Sequence, residues 1–437
     1  MILDNGCRNR KLVSYLKELS AHAQVKLLRA ETNAGIIRGL RMCLEQATGQ
    51  YVLPVDADDV LYSDAFRVLA SWVMAAGYPR LLYTDEDKVM GRGVYQPYFK
   101  PDWDPVLLLN SAYIAHLGVM ERRTALDLGV YSDGATEGSP DWDAFVRFLI
   151  AGQRGAHIPE VVYSWRVHAQ STADDGASKP YIHSSQKAVL QRFLDAQPQG
   201  RGFEIEHSPL FGGAAHWRFV RRREDPRAIV TVAIKEPATE ARSLAAVARQ
   251  MAEQQGFVHL VGEDVQMEDT DWIWEAFGVF ELHPDAVMMG GRIRNRQGLI
   301  NDAGRCFGFR GVCGSPYRGR PVSDPGYFGQ LSKQRSVSAV STQLGVVRAE
   351  FLLELLDAIP QQASVRFLGA WAGAHALRTG KRVVYSPFLS GISDLDWDSL
   401  VDVSEVALFE EMNGDIIPDR RFYSPHFSLR EAFEVEK

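Results

Sequence analysis

Apolar and polar positions along this chain follow two periods in alternation. Val25-Lys26-Leu27-Leu28 is a short apolar run. Ile36, Leu40, Cys43 and Ala47 then recur at helical spacing until Thr48-Gly49 stops them. Tyr51-Val52-Leu53-Pro54-Val55 reads as a buried strand, and Phe66, Leu69 and Val73 mark a helix that Ser63 or Asp64 can cap. Leu81-Leu82-Tyr83 is the next strand. Strand and helix in alternation predict an α/β fold with a largely parallel sheet.

The pattern restarts after a polar, Arg-rich stretch around Arg221-Arg222-Arg223-Glu224-Asp225-Pro226-Arg227. Ile229-Val230-Thr231-Val232-Ala233-Ile234 is a strand, Leu244 to Ala252 is helical, and Val258-His259-Leu260-Val261 is a second strand. Val55-Asp56-Ala57-Asp58-Asp59-Val60 and Val261-Gly262-Glu263-Asp264-Val265 are both apolar strand ends running into acids. This reads as a diverged internal duplication, although strand-acid-helix is common in α/β proteins. The expected organisation is a first domain over 1–200, a linker over 201–227 and a second domain over 228–437.

Length and composition agree. A chain of 437 residues suits two domains. Its net charge of −7 argues against a sequence-independent nucleic-acid binder. Cys7, Cys43, Cys306 and Cys313 lack metal-ligand spacing and read as reduced thiols. There is no apolar run of about 18 residues and no basic-then-apolar leader, so a cytoplasmic location is expected.

The most informative segment chemically is Asp56-Ala57-Asp58-Asp59. Its carboxylates repel one another, and a cation is the usual remedy. Oxygen ligands after a strand suit Mg²⁺ or Mn²⁺, and Mg²⁺ is commonly shared with substrate phosphates. An acidic loop entering a helix is the competing reading. Leu82-Tyr83-Thr84-Asp85-Glu86-Asp87-Lys88 is a second acidic strand end. In Gly138-Ser139-Pro140-Asp141-Trp142-Asp143, Asp141 opens a helix, where the dipole and free N–H groups favour an ionised carboxylate. That suits a base, and it equally suits a plain N-cap. In Trp165-Arg166-Val167-His168, Arg166 is a natural diphosphate partner and His168 a candidate metal ligand.

Taken in order, these segments resemble the family 2 glycosyltransferases of GT-A fold, in particular bacterial members that build O-antigen and other surface polysaccharides. Asp4-Asn5-Gly6, Asn33-Ala34-Gly35-Ile36, the Asp56–Asp59 cluster, Asp85-Glu86-Asp87-Lys88, Phe99-Lys100-Pro101-Asp102-Trp103, the Asp141 segment and Trp165-Arg166-Val167-His168 carry the likeness over residues 1–190. The resemblance implies a nucleotide-sugar donor (UDP-, GDP- or dTDP-linked) and a glycan or lipid-linked acceptor. Asp4, Asn33, Asp56 and Arg166 would bind the donor. Asp56, Asp58, Asp59 and His168 would hold Mg²⁺ or Mn²⁺. Asp141 would be the base of an inverting displacement, and Asp85, Asp87, Lys100 and Trp142 would lie on the acceptor side. It also implies peripheral contact with the inner face of the membrane or with other polysaccharide enzymes.

The second half is similar to the second domain of tandem proteins in that family, through Asp285-Ala286-Val287-Met288-Met289-Gly290-Gly291, Asn301-Asp302-Ala303-Gly304 and Asp324-Pro325-Gly326-Tyr327-Phe328-Gly329. Two departures stand out. The family's first strand and helix have no counterpart before Asp4. Gly369 and Trp371 stand where the second domain would carry its base, so that domain is expected to be degenerate. A non-catalytic glycan-binding scaffold and a nucleotidyltransferase are the competing functions. Convergence of the acids and His168 on one cleft would favour the enzyme.

Overall fold

The computed structural model describes residues 1–91, 93–167, 180–210 and 216–436. They form two compact units, Met1–Ala196 and Gln197–Gly212 with His216–Lys437.

The first unit opens with β1 (Ile2–Asn5), α1 (Arg10–Leu19), β2 (Leu27–Ala30) and α2 (Ile36–Gln46). β1 and β2 pair in parallel as a separate ribbon. Then follow β3 (Tyr51–Val52), β4 (Val60–Leu61), α3 (Ala65–Ala75), β5 (Leu81–Met90), β6 (Gly93–Tyr98), α4 (Pro105–Asn110), β7 (Gly118–Glu121), α5 (Arg122–Asp127), α6 (Pro140–Ile150), β8 (Ala156–Arg166) and α7 (Pro180–Asp195). The sheet runs β3-β7-β5-β8-β4, with β6 on β5.

The expected largely parallel sheet is corrected to a mixed one. Only β5 and β8 pair in parallel within it, because the short strands β3, β4 and β7 join antiparallel. Ala65, Leu69 and Val73 of α3 pack on Leu82, Leu117, Val119, Ile158 and Val162. The helix faces differ from expectation in phase. Phe66 and Ile36 are exposed, while their neighbours Ala65 and Ile37 turn inward. A periodic pattern locates a stripe only to within a residue, and packing partners decide which edge is covered.

In the second unit, β9 (Phe203–His207) and β10 (Trp217–Arg221) pair antiparallel, so the stretch expected as a linker holds a ribbon. The alternating Phe203, Ile205, Trp217 and Phe219 are its buried face. Next come β11 (Ile229–Ile234), α8 (Ala245–Ala252), β12 (Phe257–Gly262), β13 (Gln266–Met267), α9 (Trp272–Leu282) and β14 (Ala286–Arg294). They are followed by β15 (Ile300–Asp302), β16 (Cys306–Phe307), β17 (Cys313–Gly314), β18 (Arg335–Val337), β19 (Leu344–Arg348), α10 (Ala349–Ala358), α11 (Leu368–Arg378), β20 (Arg382–Ile392) and α12 (Val403–Asn413).

This sheet runs β11-β12-β19-β14-β20-β13. From β12 onward the path β12-β19-β14-β20-β13 repeats that of the first unit sense for sense, with β18 added on β20. Tyr51 faces Glu121 as Phe257 faces Arg348, and Leu61 faces Tyr163 as Met267 faces Gly391. One edge differs. β11 lies parallel on β12, whereas among the described residues the same edge of β3 carries no strand. There the first unit has an apolar groove of about 300 Å³ lined by Met1, Leu40, Leu44, Tyr51, Leu53 and Tyr131.

Candidate active site

After β3 the chain turns through the acidic cluster, with Asp59 N donating to Asp56 O at 3.2 Å. The end of β8 clamps this turn. Arg166 N donates to Asp59 Oδ1 at 2.8 Å, Tyr163 Oη donates to Asp59 Oδ2, and Arg166 Nε donates to Asp58 O at 2.5 Å. Arg166 therefore braces the turn, and its guanidinium is exposed. Beside the turn, His116 stacks on Tyr163 with ring centroids 4.9 Å apart. Ligand atoms of Asp56, Asp59 and His116 all lie within 4.8 Å of one another. Two carboxylates and an imidazole fit a divalent cation such as Mn²⁺. The electrostatics fit as well. Burial raises the Asp56 carboxyl above its ordinary value; His116 lowers it, and Asp59 and Asp58 raise it further.

Asp141 joins this cluster from the first turn of α6, where Pro140 at the opening position pre-sets the backbone. Its carboxyl is enclosed by protein although the residue keeps some exposure. Burial pushes it up to about 6; His116 opposes the push, and Asp56 and Glu86 add to it. A carboxylate held near neutrality beside a metal-type cluster is equipped to take a proton.

A second layer lies beneath. Lys100 is fully buried, and its Nζ donates to Thr84 O at 2.8 Å and to His116 O, and pairs with Glu86 at 3.3 Å. Glu86 also accepts from His116 N at 3.1 Å. The Lys100–Glu86 pair thus holds the His116 backbone from both sides. Asp85 Oδ1 accepts from Lys100 N and lies 2.8 Å from His157 Nε2. Asp87 accepts from Tyr62 Oη at 2.6 Å. Trp142 donates Nε1 to Leu108 O at 2.7 Å inside the core. Asp85, Asp87, Lys100 and Trp142 were expected on the acceptor side. All four are buried, and their bonds brace the site from beneath.

His157 has a carboxylate at each ring nitrogen, Asp85 at 2.8 Å and Asp102 at 3.2 Å. Burial lowers its pKa, but the bonds to Asp102 and Asp85 outweigh this and raise it above the ordinary value. Such a group stabilises fully below its unfolded pKa of about 6.5, and the contribution is lost as pH rises through the higher folded value. His157→Gln is expected to cost the first unit about 2–4 kcal/mol near pH 6. The gap to wild type in urea midpoint should narrow by pH 9. A constant gap would contradict the charged ring.

Asp4, expected to bind the donor, is buried at the end of β1. Its oxygens meet Cys7 N at 2.8 Å and Arg29 Nε at 3.4 Å. Asn5 donates to Asn33 Oδ1 and Gly35 O, both at 3.1 Å, and accepts from Ala34 N at 2.8 Å. These bonds fold the loop before α2 over the end of β1. His168 lies outside the described residues. Among the described residues the imidazole that meets the acids is His116, which carries no local signal because only strand pairing brings it to Asp56.

The second unit presents a filled version of this arrangement. In register, Gly262, Asp264 and Val265 stand for Asp56, Asp58 and Asp59, and Gln343 stands for His116. Gln343 Nε2 donates to Asp264 at 2.7 Å, and Ser393 Oγ donates to the same oxygen. Gly369 stands for Asp141, and a Cβ there would overlap the Val340 carbonyl oxygen.

Residues 1–103 match the family model Glycosyl transferase family 2. This stretch, which lies within the first unit, is similar to that family. The mixed α/β sheet agrees with the α/β architecture expected from the sequence. An uncharacterised protein of Sinorhizobium fredii is 26% identical over 75% of this chain and 42% of its own length. The O-antigen biosynthesis protein RfbC of Myxococcus xanthus is 28% identical over 40% of this chain and 14% of its own. The poly(ribitol-phosphate) β-N-acetylglucosaminyltransferase TarS of Staphylococcus aureus is 23% identical over 47% of this chain and 36% of its own. The chain therefore spans less than half the length of these curated relatives. The matched stretch carries the acidic turn, Asp85, Asp87 and Lys100, while His116, Asp141, Trp142 and His157 lie beyond it.

Proposed function

We propose that the protein is a metal-dependent, inverting glycosyltransferase whose active site is in the first unit. It transfers a sugar from a nucleoside-diphosphate donor to a surface polysaccharide or lipid-linked glycan. The carrying observation is the meeting of Asp141 with Asp56, Asp59 and His116, four residues from three separate parts of the fold. Asp56, Asp59 and His116 would hold Mg²⁺ or Mn²⁺, with Asp58 in reach of the same turn. When bound, the cation supplies charge stabilisation to the departing diphosphate. Asp141 removes the proton from an acceptor hydroxyl, and that oxygen forms the new bond to C1 of the sugar. The C1–O bond to the diphosphate breaks on the opposite face, so configuration inverts. Asp4 and Asn33 border the nucleotide side.

The relatives named for O-antigen and for poly(ribitol-phosphate) modification support a bacterial cell-surface acceptor. Among the described residues no helix is long and apolar enough to cross a membrane. A lipid-linked acceptor would draw the protein to the inner face peripherally.

The test is calorimetric titration with UDP and Mn²⁺, repeated with GDP and dTDP. Binding is expected to need the metal and to weaken by roughly 100-fold or more in His116→Ala and Asp59→Ala, since even outer-shell changes cost 10–100-fold. Metal-independent binding, unchanged in both variants, would remove this reading.

A further inference from the structure

Helix α2 begins at Gly35, which has no side chain to cap it. Its free N–H groups are met instead by a carboxylate a hundred residues away. Glu137 Oε1 accepts from Ile36 N, and Oε2 accepts from Ile37 N at 3.0 Å. Gly35 has φ +85, and a Cβ there would come within 2.6 Å of Glu137 Oε1, so the glycine makes room for this carboxylate. A carboxylate on two helix N–H groups is a strong, directional tether.

The two ends of this tether are informative. On one side, the loop before α2 is bonded to Asn5 through Ala34 N and Gly35 O, and so to the end of β1 that carries Asp4. On the other side, Glu137 lies on a short rigid path to Asp141. Glu137 N donates to Gly134 O at 3.3 Å, Gly138 N donates to Ser185 Oγ at 3.1 Å, and Ser139 N donates to Thr136 O at 2.8 Å. Pro140 then starts α6. Farther along, Asp143 is locked by Arg147 Nε at 2.6 Å and Arg192 Nε at 2.7 Å, and Arg192 also pairs with Asp133. The segment from Asp133 to Asp143 is thus fixed on the α7 side by Arg192 and on the α2 side by Glu137.

We propose that Glu137 is a positioning residue, setting the base Asp141 against the donor-side loop of Asp4, Asn5 and Asn33. It touches no reacting atom. Its carboxylate ties the half-site that orients the donor to the helix that presents the base. The proposal rests on the glycosyltransferase reading above, which assigns the roles of the two halves. Small displacements of a reacting group cost about 100-fold in rate, so the tether is expected to appear in turnover rather than in donor affinity.

The experiment compares wild type, Glu137→Ala and Glu137→Gln. With a turned-over donor, Glu137→Ala is expected to lower kcat roughly 10- to 100-fold, with donor KM within twofold. Glu137→Gln keeps one acceptor oxygen and should recover part of the loss. A merely structural role would lower the folded fraction and leave kcat per folded molecule unchanged, and that result would overturn the proposal. Amide hydrogen exchange on the same proteins separates this from failure of the glycosyltransferase reading. If wild type turns over no donor, the tether still predicts faster exchange in Glu137→Ala at both Ile36–Ile37 and residues 139–145. Faster exchange at Ile36–Ile37 alone would sink it.

Discussion

Asp141→Asn is expected to lower sugar transfer by roughly 10²- to 10⁴-fold, the range a general base contributes. Nucleotide binding should stay within twofold. The substitution keeps the shape of the side chain and removes only its ability to hold a proton. In wild type the rate should fall on the acid side as Asp141 protonates, with the limb at or below about pH 6. Part of its elevation comes from Asp56, which a bound divalent cation neutralises, so loading the metal should move the limb lower. Stability should change in the opposite sense to activity. A carboxyl whose folded pKa is raised to about 6 opposes folding above that pH, and the penalty is relieved as pH falls through 6. At pH 7, Asp141→Asn is therefore expected to stabilise the first unit by about 1–3 kcal/mol. A variant that transfers sugar normally would remove Asp141 from the mechanism. One that loses both activity and stability would make its role structural.

Gly369→Asp is expected to fail as a restoration of the second unit. It returns a carboxylate to the position that Asp141 holds in the first unit, but no room exists for it. Its Cβ would overlap the Val340 carbonyl oxygen. Farther along α11, a Cβ added at Gly373 would come within 2.2 Å of Ser338 O, so the helix rests directly on the 338–341 backbone. Such an insertion must move backbone and also bury an unpaired charge. A cost of about 4 kcal/mol or more is expected, among the larger single-residue effects. The variant should show a lowered thermal midpoint for the second unit or fail to accumulate. Gly414→Ala, where nothing lies within 4 Å of an added Cβ, is the matched control. A stable Gly369→Asp protein would mean that α11 can lift from the segment beneath it.

Much of this was legible in the chain because the signals were local. The acidic turn, the helix start at Pro140-Asp141 and the repeat of a strand ending in acids are each set within a few neighbouring residues. His116 was not legible. It meets Asp56 because β7 lies between β3 and β5, and pairing across such distances leaves no periodic trace. The same limit explains Asp85, Lys100 and Trp142. The resemblance implied an acceptor-side place for them, and no local signal showed that Lys100 is 0% and Trp142 1% exposed. A buried lysine is tolerated only where carbonyls and a carboxylate surround it, and those partners come from β5 and the loop ahead of β7. The pairing of β9 with β10 was hidden by the Arg-rich run beside it, which masked a period of two in Phe203, Ile205, Trp217 and Phe219.

The ribbon of β1 and β2 forms no ladder with the main sheet, and α1 beside it has no buried residue. A segment joined to its domain by side-chain bonds, with little buried apolar surface, belongs to the part of a protein that opens most readily. The two halves of the site therefore differ in cooperativity. Asp141 rides on a helix whose face is packed into the core, whereas Asp4 and Asn33 ride on the element closest to fraying. Under the proposed function, a nucleotide held there would first suppress that fraying, so part of its binding energy would go into ordering, and the donor itself would become the clasp that completes the fold.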